Sequence, residues 1–310
     1  MIRTGLRRRL VIVMRRFGKL QAHGLFATGV LAIVLCAPRV EAFAHKSELW
    51  ERWTNYSASA TASIDHSEWN TFLVDNLVPY ADGVNRIAYA KVSEADKKRL
   101  KAYLSALSAV PISEFSRDEQ FAYWINLYNA LTMDVLLDRY PVESIRDISI
   151  SPGFFTIGPW GKKLVRVEGQ ELSLDDIEHR ILRPIWKDPR IHYAVNCAAL
   201  GCPSLMPSAF TRSNTEELLE RGARNYINGK HGARFDSDTR LIASSLYDWY
   251  QDDFGGDEAS VIAHLRSYAR PALAAKLEGI TEVYDFEYDW TLNDTAPAQA
   301  RQRRVGSDRR

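Results

Sequence analysis

Two cysteines, a histidine and an asparagine fall within sixteen residues of the sequence, in the segment DPRIHYAVNCAALGCP at positions 188–203. Four residues separate Cys197 from Cys202, and His192 and Asn196 come shortly before them. Thiol, imidazole and carboxamide groups combine in nucleophilic catalysis, and cysteines also form disulfides and metal centres. The segment is therefore the first candidate for a functional site.

Four arrangements of the cysteines fit these residue types. In an exported chain, an even pair favours a disulfide between Cys197 and Cys202, whose small loop contributes about 2 kcal/mol of chain entropy. Alternatively, Cys197 is a nucleophile assisted by His192 or His179, with an Asn or Glu orienting the imidazole. A metal site would combine both cysteines with both histidines, in a spacing that is not a recognised zinc pattern. In the fourth arrangement both thiols are free and inert.

Alternating residue types predict a strand over residues 191–196, with Pro189 before it. His192 and Asn196 would share one face of this strand, and Cys197 would lie on the other. A dyad of His192 and Cys197 therefore requires a bend directly after Asn196. The small residues at 198–201 permit such a bend.

A second group of polar candidates lies on a long predicted helix. Ser116 caps this helix in a capping box with Glu119, and the helix runs to about residue 139. Asn126 and Asn129 lie one turn apart on a flank that is otherwise apolar. Buried carboxamides require partners, so these two either hydrogen-bond a neighbouring loop or line a cleft and orient a ligand or catalytic group.

Glu178 lies inside the apolar face of another predicted helix, residues 174–186, which Ser173 caps. His179 follows about 100° further round the helix, where it is expected to be partly exposed. A carboxylate within an apolar face is either paired, for example with Arg183, or protonated by desolvation. The second outcome would be typical of a functional acid.

The order of predicted elements indicates one α+β domain over residues 43–294, a small mixed or antiparallel sheet flanked by several helices. A chain of about 250 residues is long enough to bury a full core. Short strands are expected at residues 86–92, 164–167 and 282–288, and a hairpin at 234–243. The helix that begins after Ser116 is expected to lie at the centre.

The two ends of the chain differ in composition from this domain. Residues 1–42 combine a basic beginning, an apolar stretch at 24–36 and a cleavage pattern ending at Ala42, which predicts a signal peptide. The expected location is periplasmic or secreted, with no stable membrane span after cleavage. Residues 295–310 are expected to be a disordered basic tail.

Charge and motifs exclude several classes of function. Residues 43–310 hold 32 Lys and Arg against 38 Asp and Glu, a net charge of −6. Nucleic-acid binding requires clustered positive charge, so no nucleic-acid partner is expected. The sequence lacks a phosphate-binding loop, a dinucleotide fingerprint and a serine-hydrolase elbow, so no cofactor is expected. The partner would instead be an unidentified envelope ligand or protein.

Several blocks of the sequence resemble the family known as the domain of unknown function numbered 547. They lie between Ala90 and Asp294 and read YWINLYNAL (123–131), LSLDDIEHRILR (172–183), RIHYAVNCAALGCPSL (190–205), LYDWYQDDF (246–254) and YDWTLND (288–294). The family occurs in exported bacterial proteins and in eukaryotic multidomain proteins, without an established reaction. The resemblance implies that its recurrent polar positions are here Asn126, Asn129, Glu178, His179, His192, Cys197 and Cys202.

Two functions remain open from the sequence. The first is a binding or accessory role in the cell envelope, with ligand contacts from Asn129, His179, Asn196 and Cys202. The second is a thiol-dependent acyl-transfer enzyme or hydrolase, similar to papain or transglutaminase, with Cys197, His192, Glu178 and Asn126 as its catalytic set. Because His192 precedes Cys197 in the chain, the second function requires a permuted order of the catalytic residues.

Overall fold

The longest helix, Arg117–Arg139, is buried over most of its length in the computed structural model, which describes residues 46–153 and 156–296. Ser116 caps it by accepting a hydrogen bond from the Glu119 N–H at 3.4 Å. The second half of the predicted capping box is not formed, because the Glu119 carboxylate accepts from the Ile64 N–H at 2.7 Å instead. The helix ends before Pro141, as the sequence predicts.

The α-helices in the described residues are numbered in chain order. They are α1 Ser67–Asn76, α2 Glu94–Ser108, α3 Arg117–Arg139, α4 Arg183–Trp186, α5 Thr215–Ile227, α6 Ser245–Trp249, α7 Glu258–Tyr268 and α8 Pro271–Leu277. Short 3-10 helices occur at Glu51–Thr54, Tyr89–Lys91, Ile112–Glu114, Ile145–Asp147, Pro189–Tyr193 and Gln251–Phe254.

The strands form three small sheets. They are β1 Leu77–Val78, β2 Arg86–Ile87, β3 Val165–Val167, β4 Gln170–Leu172, β5 Ala233–Ser237, β6 Arg240–Ser244 and β7 Asp285–Glu287. The pairs β1–β2, β3–β4 and β5–β6 are antiparallel, and β7 joins β6 in parallel. Small antiparallel or mixed sheets among helices confirm the predicted α+β class.

Two clusters of buried apolar side chains form the core. The larger surrounds α3, and the smaller includes residues of α5, β6 and α7. The 3-10 helix Pro189–Tyr193 contributes to both, because Ile191 belongs to the first cluster and Tyr193 to the second. The polar residues of this segment are thereby held between two packed bodies of side chains.

The strand predicted over residues 191–196 is wrong, since the chain forms the 3-10 helix Pro189–Tyr193 there. The Asp188 side chain begins this helix by accepting a hydrogen bond from the Arg190 N–H at 2.9 Å. Ile191, His192 and Tyr193 are all buried. A segment covered on every side carries no true alternation between an inner and an outer face, so the apparent period of two was misleading.

The helix predicted over residues 174–186 contains a π-helix, Asp176–Leu182, which continues into α4. Its wider turn appears in the hydrogen bond from the Arg183 N–H to the Glu178 carbonyl, five residues back. Such π segments are uncommon in proteins, and those that do occur are often found at functional sites. Glu178 and His179 both belong to it.

The predicted signal peptide lies outside the described residues, as does the predicted tail beyond residue 296. Among the helices of residues 46–153 and 156–296, none has the length and hydrophobicity needed to cross a membrane.

Candidate functional site

The loop that follows the 3-10 helix carries both cysteines. It bends at Ala198, whose φ of 59° lies in the left-handed region, and the chain returns so that the Cys197 N–H donates to the Cys202 Sγ at 3.0 Å. Cys197 is half-buried, and Cys202 is 6% exposed. The bend that a dyad of Cys197 and His192 required is present. Within the part of the chain that the structure describes, however, no hydrogen bond joins these two side chains.

The predicted disulfide between Cys197 and Cys202 is not formed, and both residues are free thiols. Each sulfur has other partners. The Cys202 Sγ accepts from the Cys197 backbone, while the Cys197 Sγ lies 3.1 Å from the hydroxyl oxygen of Tyr288. Both thiols are thus held by hydrogen bonds rather than by a bond to each other.

Hydrogen-bond donors surround the Cys197 sulfur. Burial disfavours its ionisation, but hydrogen bonds from the Cys202 thiol, the Tyr288 hydroxyl and the Ala199 N–H outweigh that effect and lower the pKa of Cys197. Burial keeps Tyr288 protonated by raising its pKa well above the usual value, so this hydroxyl remains a donor. The arrangement stabilises a thiolate at Cys197.

Glu178 is a buried acid close to this thiol. Burial raises the pKa of Glu178 to about 7, although the charge of Arg183 and a hydrogen bond from Tyr128 favour its ionised form. The sequence left two outcomes for this carboxylate, pairing with a cation or protonation by desolvation. The raised pKa corresponds to protonation by desolvation. A carboxyl group with this pKa can both accept and donate a proton near neutral pH.

The charges of Glu178 and Cys197 both act on two tyrosines. Tyr128 and Tyr250 both have a pKa raised by burial and then by the charges of both Glu178 and Cys197. The charge of Glu178 also acts directly on Cys197. A proton held by Glu178 therefore favours the thiolate of Cys197, and the site can hold one negative charge in either place.

His192 is held by Asp253 rather than by the cysteine. Its Nε2 lies 2.6 Å from the Asp253 Oδ2, and its Nδ1 lies 3.7 Å from the Glu178 Oε1. Burial lowers the pKa of His192 more than Asp253 raises it, so the ring is neutral. A neutral ring that donates from Nε2 presents Nδ1 to Glu178 as an acceptor.

Arg183 is a charged residue that contacts both Asp253 and His179. Its Nε donates to the same Asp253 Oδ2 at 2.6 Å, and its Nη1 lies 3.2 Å from the His179 Nδ1. Burial opposes the ionisation of Asp253, but the hydrogen bonds from His192 and Arg183 outweigh it and lower its pKa to about 2. His179, expected to be partly exposed, is in fact buried, with its Nε2 3.8 Å from the Asp175 Oδ1.

The three asparagines predicted at the site bind backbone. The carboxamide of Asn126 bonds both the N–H and the carbonyl of Phe210, at 3.0 and 2.7 Å. The carboxamide of Asn129 bonds the Ala194 carbonyl at 2.9 Å and the Asn196 N–H at 2.8 Å. Asn196 in turn bonds the Ala198 N–H and the Pro203 carbonyl. These contacts correspond to the first interpretation of the carboxamides, in which they hold neighbouring loops in place.

The chain segment after β7 closes over the cysteine loop. The Leu200 N–H donates to the Thr291 carbonyl and the Gly201 N–H to the Asp289 carbonyl, both at 2.8 Å. Any side chain at Gly201 would meet the Asp289 backbone, since a Cβ there would lie 2.6 Å from its nitrogen. This close approach places Tyr288 against Cys197.

The described residues offer no support for the metal interpretation. They contain no group of three or more His, Cys, Asp and Glu side chains that could hold a metal ion. Cys202, rather than Cys197, lines a small cleft together with Leu200, Met206 and Tyr226.

Four further site residues escaped the sequence reasoning: Tyr128, Tyr250, Asp253 and Tyr288. Two of the blocks quoted for the family resemblance, LYDWYQDDF and YDWTLND, contain Tyr250, Asp253 and Tyr288. Tyr128 lies on α3 within the larger apolar cluster. Clusters of polar and aromatic residues in those blocks were the available signal, but nothing in their spacing connects them to Cys197.

Glu178 gives the first prediction. Between about pH 4.5 and 7 the unfolded chain ionises this carboxyl while the folded chain keeps it protonated, so stability falls as pH rises through that window. Because Gln cannot ionise, the stability of Glu178→Gln relative to wild type should increase by about 3 kcal/mol between pH 4.5 and pH 8. Urea unfolding of both proteins at each pH measures this difference.

The control for that measurement is Glu216→Gln, because the Glu216 side chain is 74% exposed. Its stability relative to wild type should change little over the same pH range. A difference between Glu178→Gln and wild type that stays constant with pH would contradict the raised pKa.

Comparison with known protein families gives a match to part of the chain. Residues 112–227 match the model of a family described as "Protein of unknown function, DUF547". This region includes Asn126, Glu178, His192 and both cysteines of the loop, but it is shorter than the resemblance seen in the sequence. No curated protein and no solved structure matches the chain.

Proposed function

Since this chain carries a DUF547 domain, whose description names no reaction, we propose from the site itself that it is a thiol-dependent acyl-transfer enzyme or hydrolase with Cys197 as its nucleophile. One observation carries the proposal. A free, half-buried cysteine with a lowered pKa lies among hydrogen-bond donors, and its ionisation responds to the charge of a buried acid whose pKa is about 7. Activated nucleophiles with an adjacent proton carrier are the basis of covalent acyl transfer.

The proposed reaction has two steps. In the first, the Cys197 thiolate attacks the acyl carbon and the bond to the leaving group breaks, as that group takes the proton of Glu178. In the second, water or an amine attacks the thioester and gives a proton to the Glu178 carboxylate, and the Cys197 thiolate is expelled. The two steps restore both groups to their starting state.

His192 takes a different part from the one expected of a papain-like base. Its hydrogen bond with Asp253 and the 3.7 Å between its Nδ1 and the Glu178 Oε1 support a positioning role, in which Asp253 orients the ring next to the Glu178 carboxyl group. The ring of Tyr250 stacks on His192 with 4.2 Å between the ring centroids, and it shields the imidazole from water. Glu178, rather than His192, is thus the acid that supplies and takes up protons in the reaction at Cys197.

Formation of an acyl-enzyme tests this proposal. The full chain is incubated with p-nitrophenyl esters and acyl thioesters of increasing chain length, and the intact mass is measured at short times. We expect one acyl group per chain, located on the peptide that carries Cys197. Cys197→Ala should abolish the modification, and the matched control Cys36→Ser, which changes the remaining cysteine outside the loop, should leave it intact.

Acylation that persists in Cys197→Ala would contradict the proposal. So would a reaction no faster than that of a simple thiol at the same pH across the whole series of esters and thioesters. A rate that rises with one class of acyl group would identify the preferred substrate.

Binding in the cell envelope is the second candidate, and an aromatic cluster beside Cys197 supports it. The rings of Trp249, Tyr288 and Trp290 are half-buried and lie within 4.7–5.6 Å of one another between centroids. Aromatic surfaces of this kind bind apolar or cationic parts of ligands. Complementation of a deletion strain separates the two functions, since binding should survive Cys197→Ser and acyl transfer should not.

We also propose that the chain is exported to the periplasm or beyond. The basic beginning, the short apolar stretch and the Ala42 cleavage pattern support this. N-terminal sequencing of the protein from its native cells should start at Phe43, whereas a chain that begins at Met1 in the cytoplasm would contradict export.

A further inference from the structure

The two free thiols occupy unequal positions in one tight loop. Cys197 is half-buried, whereas Cys202 is 6% exposed. The loop turns at Ala198, and the Cys202 N–H donates to the Ala199 carbonyl at 3.1 Å. The turn brings the Cys202 sulfur to 3.0 Å from the Cys197 nitrogen, so both cysteines lie within one hydrogen-bonded turn.

Their chemistry is unequal as well. Donors around Cys197 stabilise its thiolate, while burial and the neighbouring Cys197 raise the pKa of Cys202 well above its usual value. The thiolate is the form that reacts with oxidants. An oxidant therefore meets one reactive sulfur at Cys197, with a protonated thiol directly beside it.

We propose that Cys197 is a reversible oxidation site for hydroperoxides and that Cys202 is the thiol that resolves the oxidised form. A low-pKa, accessible cysteine next to a second cysteine is the arrangement found in redox-sensitive thiols. Because the Cys202 sulfur already lies 3.0 Å from the backbone nitrogen of Cys197, a bond between the two sulfurs requires side-chain rotation rather than refolding of the loop. The proposal is independent of acyl transfer, although both use the same sulfur.

The reaction balances in two steps. The Cys197 thiolate attacks the terminal oxygen of the hydroperoxide, the O–O bond breaks, and the alkoxide leaves and takes a proton from water, which gives a sulfenic acid on Cys197. The Cys202 sulfur then attacks the Cys197 sulfur, and hydroxide leaves with the proton of Cys202 as water. The two thiols supply the two electrons that reduce the hydroperoxide, and an external dithiol reverses the disulfide by exchange.

Intact mass after titration with hydrogen peroxide tests this inference. The experiment uses the full chain with Cys36→Ser, so that Cys197 and Cys202 are the remaining thiols, and one equivalent of peroxide. We expect a loss of two hydrogens, a peptide that links the two cysteines, and full reversal by dithiothreitol. With Cys202→Ser added, dimedone should instead trap a sulfenic acid at Cys197.

Rates provide the second readout. Cys197 in the Cys202→Ser protein should be oxidised at least about tenfold faster than Cys202 in the Cys197→Ser protein, because only the first is a ready thiolate. Equal rates would overturn the inference. So would a wild-type loop that proceeds to sulfinic acid without forming the disulfide. No acyl substrate is present, so failure here leaves the acyl-transfer proposal standing, and the reverse also holds.

Discussion

Replacing Glu178 with Gln is expected to slow acyl transfer from poor leaving groups by about 10²–10⁴-fold, the usual contribution of a general acid or base. Gln keeps the shape of the side chain and can still accept the hydrogen bond of Tyr128, but it carries no transferable proton. The effect should depend on the leaving group. A p-nitrophenolate departs without a proton, so its release should slow much less than that of an alkoxide or an amine.

The pH dependence distinguishes this role from a merely structural one. Wild-type turnover should have a limb near pH 7, from the pKa of Glu178, and the limb should be absent from the Glu178→Gln profile. Measurement of kcat and KM for an alkyl ester between pH 5 and 9 gives both profiles. An equal loss for nitrophenyl and alkyl esters, with the limb retained, would assign the proton transfer to another group.

Replacing Arg183 with Met is expected to lower the free energy of unfolding by about 3 kcal/mol. The Arg183 side chain is 4% exposed. Arg183 and His192 both donate to the Asp253 Oδ2, so the loss of Arg183 leaves His192 as the remaining one of these two donors. The estimate is at the lower end for a broken buried pair, because the Asp253 side chain is 21% exposed and keeps some contact with water. Urea unfolding at pH 7 measures the change.

The matched control is Arg180→Met, on the same helical segment. Arg180 pairs with Asp176 at 3.2 Å, but its side chain is 36% exposed, so its loss should cost less than about 1 kcal/mol. The double variant Arg183→Met with Asp253→Asn should recover part of the stability, since it removes the charge left without its cation. Equal losses of stability in Arg183→Met and Arg180→Met would show that the buried ion pair contributes no more to the free energy of unfolding than the exposed one.

The site residues that could be predicted from the sequence were polar residues on apolar faces of helices, because that position itself indicates burial. Asn126, Asn129 and Glu178 were singled out because a helical period of 3.6 placed them on apolar surfaces, where a polar group must find a partner or change its protonation. The structure supplies backbone partners for the asparagines and a raised pKa for the glutamate. The main helices were predictable for the same reason, since their caps and apolar stripes are local signals.

Contacts between distant parts of the chain were not predictable. Asp253 lies 61 residues beyond His192, and Tyr288 lies 91 residues beyond Cys197. Spacing carries no information over such separations, so His192 was assigned to the nearest thiol when its partner is a distant carboxylate. The misjudged strand at residues 191–196 has a related cause, because burial between two hydrophobic clusters is a property of the whole fold.

The segment that closes over the cysteine loop also bears on how this protein can be dissected. Asn293 bonds the Ile87 N–H through its carbonyl and the Tyr89 hydroxyl through its side chain, so hydrogen bonds join an early and a late stretch of the chain beside the cysteine loop. Both stretches lie outside the matched region, residues 112–227. A fragment cut to that region would lose Tyr288 and Asp253 and leave apolar surface of α3 uncovered. The region that matches the family model is thus smaller than the unit that these contacts hold together.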